Sequence, residues 1–334
     1  MRIRSFARLL RRFISRPAKV RQGPPKARQA LASLTARPTT GAAAAFGSNP
    51  GALQMQVYAP PRLPAGRPLI VVLHGCGQTA TTFAADAGWT ALADEARLAL
   101  LLPAQIHENN RGGCFNWFLP RDTRRGAGEA MSIRQMVRTA TERFGSDPGQ
   151  IFVVGFSAGA AMAASLLAAY PAVFAAGGVV AGMPVGCATS AAGAILRMRR
   201  ADTGRTRQAL AADVRSVTGS VARKSWPRLS IWHGERDRTV DPDNAEVLAK
   251  QWSELQGFDA EPSSDRVEPG LRQRAWGRPN RPPAVELWTI AGLGHGFPVD
   301  ASAPGRGRAG AWVTDSGLCA ARRIAAFWGL CDAT

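Results

Sequence analysis

Residues Ile151 to Met162 read IFVVGFSAGAAM. Four apolar residues, three of them β-branched, run into Gly155-Phe156-Ser157-Ala158-Gly159, after which small residues continue at helical spacing. This is G-x-S-x-G set between a strand and a helix, the context in which that motif presents a nucleophile. The turn holds the serine in a strained backbone conformation, so the residues two positions to either side must be nearly free of side chain. The Ser157 hydroxyl then stands above the sheet edge. The amide of Ala158 and the positive end of the following helix face any oxyanion that forms there.

A chain of 334 residues with 46% hydrophobic content buries one large α/β core, or at most two domains. No stretch repeats with a period, which excludes solenoids and propellers. No run reaches the ~18 apolar residues of a membrane-spanning helix, so a soluble or peripheral protein is expected. The net charge is +18, but residues 1–45 hold 11 Lys and Arg and no acid, which leaves 18 − 11 = +7 for the rest. A charge excess concentrated in a tail argues against specific nucleic-acid binding. Within the tail, Ile3, Phe6, Leu10, Phe13 and Ile14 recur at helical spacing among arginines, followed by a Pro/Ala/Lys/Arg linker to about Thr40. It reads either as a basic amphipathic segment making peripheral contact with anionic surfaces or as a flexible, solvated extension. No apolar stretch of roughly 7–15 residues follows the charges, so it does not read as a secretory signal.

Residues 46–334 are expected to form the catalytic domain. Leu69 to Leu73, Leu98 to Leu102, Ile151 to Val154, Gly177 to Ala181, Leu229 to Trp232 and Val285 to Ile290 are short apolar runs bounded by turn residues, and read as buried strands. Helical patterns lie among them at Trp89 to Ala96, Glu129 to Arg143, Ala158 to Tyr170, Asn244 to Leu255 and Leu318 to Trp328. The alternation predicts an α/β fold, a mostly parallel sheet with helices on both faces. Met183 to Trp226 (residues 183–226) interrupts it as a cap insertion, and Asp259 to Pro283 is expected to be an exposed excursion.

A serine needs a base and an orienting acid, and this type of fold supplies them in the order Ser, acid, His. His74 and His107 come too early. His295, in Gly292-Leu293-Gly294-His295-Gly296 after the last strand, fits the base. The acid belongs on the loop after Leu229 to Trp232, where Asp237 is the choice ahead of Asp241 and Glu235. Its task is to accept the imidazole N–H and fix the tautomer. His233 reads as a structural strand end. The second oxyanion donor should come from His74-Gly75-Cys76-Gly77-Gln78, with the Cys76 amide first and Gly77 second. No spacing matches a metal site.

HGCGQT at His74 to Thr79, CFNWF at Cys114 to Phe118 and GEAMSIRQMV at Gly128 to Val137 form a distinctive series. GFSAGAAMA at Gly155 to Ala163, YPAVFAAGGVVAGMPVGCA at Tyr170 to Ala188 and FWGL at Phe327 to Leu330 complete it. Together they resemble the poly(3-hydroxybutyrate) depolymerase-type esterases, over roughly Asn49 to Leu330. The resemblance implies an α/β-hydrolase fold, a Ser157–Asp237–His295 triad and ester hydrolysis without a cofactor, acting on a polyester, its oligomers, or feruloyl or acetylxylan esters. It also implies an extracellular enzyme, whereas the absence of a recognisable signal fits a cytoplasmic one. Cys76 and Cys114 both fall in these motifs, where a bridge would clamp the oxyanion loop. Five cysteines suit buried thiols in a reducing compartment equally well. Trp117 reads as a wall of the acyl or alcohol pocket or as a core aromatic. A serine peptidase and a non-catalytic surface- or granule-binding protein are the rival readings. The first lacks any sign of a propeller domain, and the second would usually have lost a triad member.

Overall fold

The computed structural model describes residues 39–42, 45–219 and 225–332. The basic amphipathic stretch read in the tail lies outside them. Strands β1 (Thr39–Ala42), β2 (Gln54–Ala59), β3 (Leu69–Leu73), β4 (Ala99–Ala104), β5 (Ile151–Phe156), β6 (Ala176–Val180), β7 (Arg228–Gly234), β8 (Ser264–Glu268), β9 (Leu271–Trp276) and β10 (Val285–Ile290) form one sheet, in the order β1-β2-β4-β3-β5-β6-β7-β10-β9-β8. The six strands from β4 to β10 in that order run parallel, and the pairs at both edges are antiparallel. A short pair, β11 (Phe297–Val299) with β12 (Val313–Asp315), stands apart.

The apolar runs are continuous because both faces of the sheet are covered. Along β3, Leu69, Val71 and Leu73 pack into one core, beneath helices Gly128–Phe144, Ala158–Ala169, Arg207–Thr218 and Asp243–Leu255. Ile70 and Val72 pack into the other, beneath helices Ala80–Asp86, Trp89–Ala96 and Ala320–Trp328. Successive side chains point to opposite faces, so a strand buried on both sides shows no polar alternation.

The structure departs from the sequence reading in three places. Thr39–Ala42, inside the expected tail, pairs with β2 from Thr39↔Ala59 to Ala42↔Gln56. Asp259 to Pro283 is no mere excursion, since β8 and β9 form a hairpin that extends the sheet beside β10. β8 is exposed at every position, so no burial pattern marks it as a strand. Residues 183–226 carry helices Ala191–Arg199 and Arg207–Thr218 between β6 and β7, and the second of these belongs to the main core.

The carboxyl ends of β3, β5, β7 and β10 lead into the loops that hold the motif residues, as expected where ligands bind to parallel sheets. A buried carboxyl supports one side of that edge. Glu129, fully buried at the start of its helix, accepts hydrogen bonds from the Asn116 N–H (2.8 Å) and side-chain amide (2.7 Å), from Gln105 Nε2 (2.7 Å) and from Asn109 Nδ2 (3.2 Å). Burial pushes its pKa up to about 8, and Asp122 adds to the rise, against the pull of these donors.

A carboxyl whose pKa is raised on folding stabilises fully below its unfolded value of about 4.5 and loses that contribution as pH rises through the folded value. The stability of the protein relative to Glu129→Gln should therefore decline from about pH 5 to about pH 8 and then level off, read as denaturation midpoints. A difference that is flat over this range would show that the carboxyl is already ionised. Glu129→Ala, which leaves four donors without their acceptor, should cost about 3 kcal/mol or more.

Candidate active site

The turn after β5 places Ser157 at φ 54°, ψ −117°, in a region that residues with a side chain rarely adopt. Its N–H donates to Val180 O (2.9 Å) and its carbonyl accepts from Ala161 N–H (3.0 Å), which locks the turn to β6 and to the helix. The flanking glycines are required by close approach. A Cβ on Gly155 would lie 2.2 Å from Gly159 O, and one on Gly159 would lie 2.4 Å from Leu73 O. The following helix, Ala158–Ala169, is buried throughout and directs its amino end at the serine.

The Ser157 hydroxyl donates to His295 Nε2 at 3.0 Å, and His295 Nδ1–H donates to Asp237 Oδ2 at 2.7 Å. The imidazole also lies 5.0 Å from the ring of Phe156 and 5.9 Å from that of Trp312. The sequence reading did not anticipate how Asp237 is held. His233 Nε2–H donates to the same Oδ2 (3.1 Å), while Oδ1 accepts from the N–H groups of Thr239 (2.8 Å) and Val240 (2.9 Å). Burial pushes the Asp237 pKa up, but the hydrogen bonds and charge of the two histidines outweigh it and hold the carboxyl well below the usual range. His233, read as a structural strand end, is thus a direct partner of Asp237. Its Nδ1 is buried without a partner among the described residues.

The alternatives to Asp237 lie elsewhere. Asp241 accepts from Ala201 N–H (2.9 Å) and Asp243 N–H (3.1 Å), and Glu235 is exposed.

Across from Ser157, His74 shapes the loop after β3. Its Nδ1–H donates to Gly75 O (2.8 Å) and its Nε2 accepts from Gln105 N–H (3.2 Å). Burial lowers its pKa, consistent with a neutral ring. The Gly77 amide is occupied by Gly112 O (3.0 Å), whereas the Cys76 and Ala158 amides find no acceptor among the described residues. Cys76 and Cys114 form a disulfide with Cα atoms 4.2 Å apart, and Cys187, Cys319 and Cys331 are free thiols.

A small cavity opens beside these groups, with about 20 Å³ accessible to the centre of a water-sized sphere, about one water or methyl group in size. Its walls are the disulfide, Trp117, Met183, Met198, Val240 and the Ser157–Ala158 turn, almost entirely apolar. Trp117 lines this cavity and also packs against the core. Met183 and Met198 come from the interrupting segment. Nothing in their local sequence signalled that they face the serine, because the approach is made by tertiary packing.

Residues 53–270 match the family model described as Esterase PHB depolymerase. The chain is 39% identical over 297 residues to poly(3-hydroxyalkanoate) depolymerase C of Paucimonas lemoignei, covering 85% of this chain and 69% of that protein. It is 30% identical over 264 residues to feruloyl esterase B of Talaromyces stipitatus, covering 77% and 72% respectively. The solved acetyl xylan esterase from Aspergillus awamori superposes with a TM-score of 0.74 at 24% identity, over 88% of this chain and all of that one, which shows a shared α/β-hydrolase fold. With the family model spanning most of the hydrolase sheet and a depolymerase relative aligned over most of its length, this chain belongs to the PHB depolymerase esterase family and is a serine ester hydrolase.

Proposed function

We propose that the chain hydrolyses esters of short aliphatic acyl groups through an acyl-enzyme, with Ser157 as nucleophile, His295 as general base and Asp237 as the carboxylate that orients it. The observation that carries this reading is the unbroken hydrogen-bond relay Ser157–His295–Asp237 (3.0 and 2.7 Å) opening onto a small apolar cavity. His295 Nε2 takes the hydroxyl proton as Oγ attacks the carbonyl carbon. The Cys76 and Ala158 amides and the helix amino end hold the oxyanion. His295 then gives the proton to the departing alcohol, and water, deprotonated by the same ring, releases the acid. Asp237 stays ionised and stabilises the imidazolium.

The acyl group is read from the cavity. An acetyl methyl matches the space between the disulfide, Trp117 and the two methionines, a 3-hydroxybutyryl chain extends partly beyond it, and a planar feruloyl group would need those walls to move furthest. A polyester or its oligomers is the substrate class favoured by the depolymerase relative. Acetyl esters of carbohydrates are the second reading, supported by 28% identity over 267 residues to acetylxylan esterase A of Aspergillus oryzae.

Methyl esters of graded acyl length, 3-hydroxybutyrate oligomers, acetylated xylan and methyl ferulate, compared at one pH, test the assignment. Turnover should fall by about 10-fold or more beyond roughly four acyl carbons, and faster hydrolysis of methyl ferulate than of methyl butyrate would reject the short-acyl reading. Ser157→Ala and His295→Ala should each lower kcat by about 10⁴-fold or more, and the double variant should be hardly worse, because the members act as a unit. Asp237→Asn should cost about 10²- to 10⁴-fold. Near-normal turnover by Asp237→Asn would remove the assigned acid.

The disulfide closes a sequence separation of 38 residues, worth about 4 kcal/mol in the chain-entropy model. Reduction should lower both the melting temperature and kcat, because it frees the loop that carries the Cys76 amide. Full activity in the reduced, folded protein would show that the clamp plays no part in catalysis.

A further inference from the structure

The turn joining the loop before β12 to that strand is closed by two hydrogen bonds, Gly310 N–H to Val313 O (2.9 Å) and Val313 N–H to Gly310 O (3.2 Å). Its second central residue, Trp312, has φ +62°. Turns with positive φ at that position favour glycine or asparagine. A tryptophan is among the least suited residues there, since its Cβ is crowded by its own backbone. Strain of this kind persists only where the surroundings enforce it, and such residues cluster at functional sites.

The surroundings of Trp312 do enforce it. Its carbonyl accepts from Phe297 N–H (2.8 Å), two residues beyond His295. The carbonyl of Ala311 accepts from Gln78 Nε2 (2.8 Å), and Gln78 Oε1 accepts from Gly75 N–H (2.8 Å) in the loop that carries the Cys76 amide. The turn is thus tied to both the base and the oxyanion loop. The indole is half-buried, with its ring 5.9 Å from the imidazole of His295 at an interplanar angle of 69°. It takes no part in lining the small cavity bounded by Trp117, Met183, Met198 and Val240.

Resting on the reading given under Proposed function, we infer that Trp312 forms the wall of the leaving-alcohol subsite and sets selectivity for the alcohol half of the ester. The chemistry separates the two halves. In the tetrahedral intermediate the ester oxygen must receive the proton held on His295 Nε2, so the alcohol lies against the imidazole. The acyl group then takes the cavity. A half-exposed indole beside the imidazole, outside that cavity, presents a flat apolar surface to whatever the ester oxygen carries. It suits an alcohol with apolar area: an alkyl chain, a ring, or the next hydroxyacyl unit of a polyester.

Two ester series read the subsite separately. One holds butyrate constant and varies the alcohol (methyl, butyl, benzyl), and the other holds methanol constant and varies the acyl chain. Trp312→Gly suits the test because glycine tolerates φ +62°, so the variant deletes the indole without demanding a new backbone. The ratio of kcat/KM for benzyl over methyl butyrate should fall by about 10-fold in Trp312→Gly, with the acyl-length profile unshifted. Trp312→Phe should keep most of the ratio.

An unchanged benzyl-to-methyl ratio accompanied by a uniform loss on every ester would overturn the inference, since the indole would then serve only to seat His295. A shifted acyl-length profile would overturn it too. Saturation-transfer NMR with benzyl alcohol supplies a readout without turnover: signal in the wild type that is lost in Trp312→Gly is expected, and signal retained there counts against the subsite. Loss of the proposed catalytic function would show instead as Ser157→Ala turning over the esters at the wild-type rate, an outcome independent of this binding measurement.

Discussion

The contact on which this molecule turns is the approach of helix Ala158–Ala169 to the ends of β3 and β5. At Gly159 the backbone passes so close to Leu73 and His74 that a methyl group would overlap their carbonyl oxygens, at 2.4 and 2.5 Å. At Gly155 the obstacle is the carbonyl of Gly159 itself. Two glycines at this spacing let the chain reverse from strand to helix within a few residues, and the reversal forces Ser157 to φ 54°. The strain is sustained by a helix buried over all twelve residues and by the Val180 bond to the serine amide. A large core therefore holds one hydroxyl in a conformation it would not choose alone. The same packing aims the amino end of the helix dipole at Ser157.

Electrostatics at the opposite end of the relay follow from how Asp237 is enclosed. A buried carboxylate is costly unless it is hydrogen-bonded on most of its lone pairs. Here two imidazoles and two backbone amides provide four donors, two to each oxygen. They overcome the burial that would otherwise neutralise the group and hold it ionised. Because its pKa is depressed, its contribution to stability is present above the ordinary carboxylate value and is lost as pH falls below about 4. His233 does this with its Nδ1 buried and without a partner among the described residues.

What the sequence made legible was whatever depends on local chemistry. The strand–turn–helix at Ile151 to Met162 is written in adjacent residues, and the six parallel strands are short apolar runs set off by their length and by bounding turn residues. The Gly-flanked His295 and the acid-bearing turn at Asp237 follow from topology once the strands are ordered. The remainder arises from tertiary contact. The β8–β9 hairpin was obscured because an edge strand exposed on both faces carries no hydrophobic period, and its Arg and Pro neighbours suggested a loop. Met183 and Met198 reach the cavity only because the segment between β6 and β7 folds back over the serine. Glu129 looks like an ordinary first-turn acid of a helix until three amide side chains and a backbone N–H are found converging on it.

Several long-range contacts converge on the loop from His74 to Gln78. Its position is fixed from below by the Gln105 amide on His74, and Gln105 is itself held by Glu129. From the side it is fixed by the disulfide to Cys114 and by Gly112 O on the Gly77 amide. From the far side it is fixed by Gln78, which joins it to the turn bearing Trp312. An oxyanion donor is useful only when it is already in place as charge develops, because reorganisation at that moment would cost what the hydrogen bond supplies. A short glycine-containing loop has no intrinsic rigidity, so its order must come from outside. Attachments to the loop of residues 105–116 and, through Gln78, to the turn before β12 supply that order while leaving the Cys76 amide without a protein acceptor among the described residues.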